Sequence, residues 1–164
     1  MFKIFGSLSL IIILFSCQTS NVQQVMNELQ NMKSPDYSQI KKLQLSEHKS
    51  QIENSLMEFY DADTAILAST GIFKYGADTT ILISQWLKAS FVNSMKITDL
   101  QDKELTDKLA IEIGTYLKPK VLNIQDYDKM EIMFINEIQT EIKGATKSIK
   151  QSIHLSIPEL ELIN

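Results

Sequence analysis

With 164 residues the chain is one domain long and able to bury a core. Its formal charge of −4 and the absence of arginine among its 16 basic residues argue against nucleic acid, because lysine lacks the bidentate fork that clamps phosphate. Its single cysteine excludes an intramolecular disulfide.

Residues 1–16 read as a signal peptide. Lys3 and the free amine make a short positive region, and Gly6 to Phe15 is apolar apart from Ser7 and Ser9. That run is too short for a permanent membrane helix, which needs ~20 residues, and its flanks fit a cleaved export signal. Leu14-Phe15-Ser16-Cys17 resembles the lipobox of bacterial lipoproteins, with an aliphatic residue three before the cysteine and a small residue just before it. Phe15 stands where a smaller or β-branched residue is commoner. The resemblance covers residues 1–17 and says nothing of the body. It implies diacylglyceryl transfer to the Cys17 sulfur, cleavage before Cys17 and acylation of the new amine by a chain such as palmitate. Such chains anchor firmly, since each buried CH₂ contributes about 0.8 kcal/mol. Gln18 replaces the aspartate that marks inner-membrane retention, so the resemblance favours the outer membrane of the cell envelope. Residues 17–21 are then the lipidated cysteine and a short tether, ahead of a single domain at 22–164.

Few glycines, few prolines and no clear alternating runs predict an all-α domain, a compact bundle of five to six helices ending in a long one. Asn21 caps the first helix, with Val22, Val25, Met26, Leu29 and Met32 at helical spacing. Ser34-Pro35-Asp36 opens a short helix to about Leu43. Ser46 caps the next, where Leu45, His48, Ile52, Leu56 and Phe59 share a face, and Asp61-Ala62-Asp63 interrupts it. Residues 64–75 are apolar and small, and are assigned as helix in preference to strand. Gly76 stops that segment and Asp78 caps its successor. Residues 79–96 carry Ile81, Leu82, Ile83, Trp86, Leu87, Phe91, Val92 and Met95, which predicts the most buried helix. Thr98 and Gln101 have capping-box spacing, ahead of a row at Leu105, Leu109, Ile113 and Leu117 that Lys118-Pro119 ends. Asp126 or Asp128 opens the longest helix, to about His154. Its heptad-like seam is Ile135, Ile138, Ile142, Ala145, Ile149 and Ser152, with Gly144 a weak point. Pro158 ends it.

The sequence holds no HExxH, no Cys/His cluster, no Walker loop and no GxSxG. No cofactor is expected and no catalytic residue is assigned. Of the two histidines, His48 reads as a partly buried residue at a core edge and His154 as a residue near a helix C-terminus. Glu58, Asp61 and Asp63, with Asp78, are weak candidates for a calcium site, and helix capping is the preferred reading. Asp126 and Asp128 invite the same comparison. Trp86, Phe91, Phe59, Phe73 and Tyr75 are core residues or the lining of an apolar pocket.

The function expected on these grounds is that of a membrane-anchored envelope lipoprotein without enzymatic activity, a helical module that binds a partner protein. An inhibitor or immunity type would use an acidic surface against a basic enzyme. One alternative is a lipoprotein enclosing a small apolar ligand, and another is an enzyme built on Glu58, Asp61 and Asp63 with His48.

Overall fold

The computed structural model describes residues 22, 23, 25–27, 34–76, 79–140, 145–158 and 160. The signal peptide, Cys17, the tether, Asp78, Ile142 and Gly144 lie outside them. The chain divides into two compact units, Met1–Asp36 with Tyr75–Ile81, and Tyr37–Lys74 with Leu82–Asn164. In the first, Val22, Gln23 and Val25–Asn27 are helical, the Asp36 amide donates to Thr80 Oγ1 (3.1 Å), and the Gly76 amide closes a turn on Thr79 (2.8 Å).

The fold is mixed α/β, which corrects the all-α expectation. Helix α1 (Lys49–Tyr60) is followed by strands β1 (Thr64–Tyr75) and β2 (Thr80–Val92). Helix α2 (Lys103–Leu117) leads to β3 (Lys129–Gln139) and β4 (Thr146–Ser156). The four strands form one sheet in the order β1-β2-β3-β4. The Asp63 amide, just ahead of β1, donates to Val92 at the end of β2 (2.9 Å), so these two run antiparallel. β2 and β3 are parallel, with α2 as the crossover, and β3 and β4 form an antiparallel hairpin.

Three predicted helices are therefore strands. Residues 64–75 are β1, the supposed most buried helix is β2, and the longest helix is the β3–β4 hairpin. The physical reason lies in the period. In β3, Met130, Ile132 and Phe134 are buried and alternate with Lys129, Glu131, Met133 and Ile135. In β2, Leu87, Ala89 and Phe91 alternate with Trp86, Lys88 and Ser90. Threonine, isoleucine, tryptophan, phenylalanine and valine also suit a pleated surface. The seam read at helical spacing is not a seam, since Ile138 is 50% exposed and Ile149 is 36% exposed.

Two helices stand near where the sequence puts them. α2 begins at Asp102, whose carboxylate accepts the Leu105 amide, rather than at Thr98. Its row Leu109, Ile113 and Leu117 is buried, with Leu105 packed on the core. Lys118-Pro119-Lys120 then tightens into a 3-10 turn. α1 starts after His48 rather than Ser46, with the Gln51 side chain accepting the His48 amide. It buries Ile52, Leu56 and Tyr60 and ends at Asp61 in the left-handed region (φ 45°). The short helix expected from residue 34 is only a 3-10 turn at Tyr37–Gln39.

Both helices cover one face of the sheet. Their apolar sides meet Ala65 and Leu67 of β1, the Leu87, Ala89, Phe91 row of β2 and the Met130, Ile132, Phe134 row of β3. The Tyr60, Phe91 and Phe134 rings form a chain through this core, with centroids 5.4 and 5.8 Å apart. Gly114 lets α2 approach the sheet closely, because a Cβ there would stand 2.7 Å from Leu155 Cδ1.

Residues 40–46 cross the body as a strap with almost no sheet pairing. Two buried amides satisfy its peptide groups instead. Gln85 accepts the Lys41 amide (2.7 Å), and Asn123 accepts the Gln44 amide (2.9 Å) while donating to the Lys42 carbonyl (3.1 Å). Leu45 bridges to Val121.

Candidate functional site

The face of the sheet turned away from the helices carries the densest group of chemically varied side chains. Register assigns its members. Trp86 lies beside Lys129, Lys88 beside Glu131, Ser90 beside Met133 and Val92 beside Ile135. Across β3, Glu131 stands opposite His154, Met133 opposite Ser152 and Ile135 opposite Lys150.

At the centre Lys88 Nζ reaches Glu131 Oε2 at 3.4 Å. Glu131 is only 7% exposed although it faces away from α1 and α2. Lys129 Nζ sits 3.7 Å from the centre of the Trp86 ring, a close cation–π contact. The His154 ring meets the same indole edge-on at 5.5 Å. The indole N–H donates to Ser84 Oγ (2.7 Å), whose hydroxyl donates to Asp128 (2.7 Å). Asp128 also accepts the Gln85 amide (2.9 Å). The Ser84 hydroxyl and then the Gln85 amide hold the Asp128 carboxyl below the usual carboxylate range, with the Lys129 charge adding to them. This chain of partners fixes Trp86 in one orientation. Further along the same face Val92, Met133 and Ile135 are apolar and half-buried.

No family model, no curated protein and no solved structure matches this chain. The functional reading rests on its own residues.

The residues singled out in the sequence are dispersed. Asp61 ends α1, and Asp63 accepts Asn93 Nδ2 at 2.8 Å, one strand end holding another. Glu58 contributes its backbone carbonyl, which accepts the Asp61 amide. Among the described residues no three His, Cys, Asp or Glu side chains group as a metal site. His48 is exposed at the start of α1, and His154 lies on β4 rather than at a helix end. The five aromatic residues expected around a pocket also separate. Phe91 is in the core, Phe59 lies exposed against Tyr116, Phe73 meets Tyr37, and Trp86 is on the open sheet face. Tyr75 is exposed. Burial pushes the Tyr60 hydroxyl up to about 12, with Glu112 and Tyr116 adding to the rise, so it keeps its proton at neutral pH.

Glu131 and Lys129 were missed in the sequence, although Lys129-Met130-Glu131-Ile132 alternates polar with apolar. That period-two signal was the one available.

Proposed function

We propose that this chain is a lipid-anchored protein of the bacterial envelope that binds a partner protein on the face of its sheet opposite α1 and α2. The lipobox-like Leu14-Phe15-Ser16-Cys17 supports the anchor, and Gln18 favours the outer membrane. One observation carries the binding reading. The sheet face opposite α1 and α2 holds a fixed indole, a shielded ion pair and the half-buried Val92, Met133 and Ile135. A face that only met water would alternate to polar residues throughout. Protein interfaces combine such aromatic and apolar anchors with a polar rim.

The face mixes charges. Lys88, Lys129 and Lys150 share it with Glu131 and Glu137, and Asp128 adjoins Trp86 through Ser84.

The test is affinity capture of the full chain from detergent-solubilised membranes, with mass spectrometry of the N-terminal peptide. Expected are a lipid-modified Cys17 and a stoichiometric partner that Ile135→Lys and Trp86→Ala release while far-ultraviolet circular dichroism shows the fold kept. An unmodified N-terminus, or a partner indifferent to both substitutions, would overturn the proposal. Cys17→Ala serves as the control for the anchor.

A further inference from the structure

A groove of about 820 Å³ lies between residues 37–49 and the edge strand β1. Its size falls within the range of small-molecule sites, roughly 300–1,000 Å³. Ile40, Leu43, Leu45, Leu67 and Ala68 make its lining largely apolar. Lys41, Lys42 and Lys49 add cationic groups to it.

These cations are not all accounted for by the fold. Lys49 pairs with Glu53 (3.3 Å), and the one acid in the lining, Glu47, pairs with Lys120. Among the described residues Lys41 and Lys42 have no acidic partner. Both are exposed, and residues 37–46 contain no acid at all in a chain of net charge −4. Nor do their ammonium groups hold the strap down, since the Gln85 and Asn123 amides do so through its backbone. The result is an apolar trough with two uncommitted cations on a prebuilt wall.

We propose that this groove binds a single-chain anionic lipid. The acyl chain lies along Ile40, Leu43 and Leu45, and Lys41 and Lys42 hold a carboxylate or phosphate head. An extended peptide adding to the edge of β1 is the competing occupant. It is disfavoured because the Leu67 amide, on the floor of the groove, already donates to Glu53 Oε1 at 2.7 Å. The site stands apart from the sheet face opposite α1 and α2 and does not depend on the partner-binding reading.

A photoreactive palmitate added to the full chain in membranes tests this. Cross-links are expected on peptides within residues 37–49 and 67–69, competed by excess palmitate or lysophosphatidylglycerol and not by hexadecanol. Whichever anionic lipid competes better identifies the head group, and either result fits the proposal. Lys41→Glu with Lys42→Glu should cut the labelling about tenfold, the scale of one lost charge-assisted contact. Ile40→Glu, at a half-buried position of the groove, should do the same, with far-ultraviolet circular dichroism checking that the fold is kept. If Ile40→Glu fails to fold, the lysine pair still decides. Labelling that persists in the lysine variant, or that hexadecanol competes equally, would overturn the proposal. So would stronger competition by an acidic peptide than by either lipid.

Discussion

Ile132→Ala and Ile138→Ala separate a sheet from a helix within one strand. Ile132 is fully buried between Ala89 and Ile153, its register partners on β2 and β4. Truncation removes three buried carbons at about 0.8 kcal/mol each, or about 2.4 kcal/mol of transfer energy. The cavity left in a closely packed layer adds to this and brings the total to about 3–4 kcal/mol. For a chain of this size that lowers the melting temperature by roughly 6–15 °C. Ile138 is 50% exposed beyond the helix-covered region, so its truncation costs about 1 kcal/mol or less. Urea unfolding followed by Trp86 fluorescence and far-ultraviolet circular dichroism gives both values. A larger loss at Ile138 than at Ile132 would refute the strand, since the helical seam would bury Ile138 and leave Ile132 off it.

Asn93 adopts a left-handed conformation (φ 52°) while its side chain donates to Asp63 and accepts the Glu137 amide, both at 2.8 Å. Asn93→Ala should cost about 2–3 kcal/mol from two lost hydrogen bonds and the backbone penalty, and Asn93→Gly less, as thermal unfolding will report. Lys88→Met leaves the shielded Glu131 carboxylate without its partner and should cost about 1–3 kcal/mol, part of which Glu131→Gln restores in the double variant. Asp128 has a folded pKa below its unfolded one, so its contribution is complete above the unfolded carboxylate range and is lost as pH falls through the folded value. Denaturant titrations of wild type and Asp128→Asn should therefore show a constant stability gap near neutrality that closes in acid. Asn123→Leu unpairs the Gln44 amide and the Lys42 carbonyl and should cost about 1–3 kcal/mol, with faster hydrogen exchange confined to the strap.

What was legible in the sequence was local. The breaks at Asp61-Ala62-Asp63, Gly76 and Lys118-Pro119 stand at real element ends, and the Leu109, Ile113, Leu117 row is buried on α2. The strands were not legible as strands, because apolar residues occupy both of their faces. Val92, Met133 and Ile135 on the open face interrupt the alternation that Leu87, Ala89, Met130 and Ile132 set on the other. Superposed, the two rows imitate a wide helical stripe. The feature that hid the sheet is also the one on which the proposed binding surface rests. The candidate site shared this fate. Trp86 was noticed for its size, but its partners Lys129, Glu131 and His154 come from strands whose pairing no local spacing reveals.

The most direct measurement is site-specific photocross-linking in intact cells, with the probe at Ser152 on the open face or at Glu112 on the exposed side of α2. The account predicts one discrete protein adduct from position 152, none from position 112, and loss of the adduct with Ile135→Lys. Equal adducts from both faces, or an adduct from the helix side alone, would contradict it.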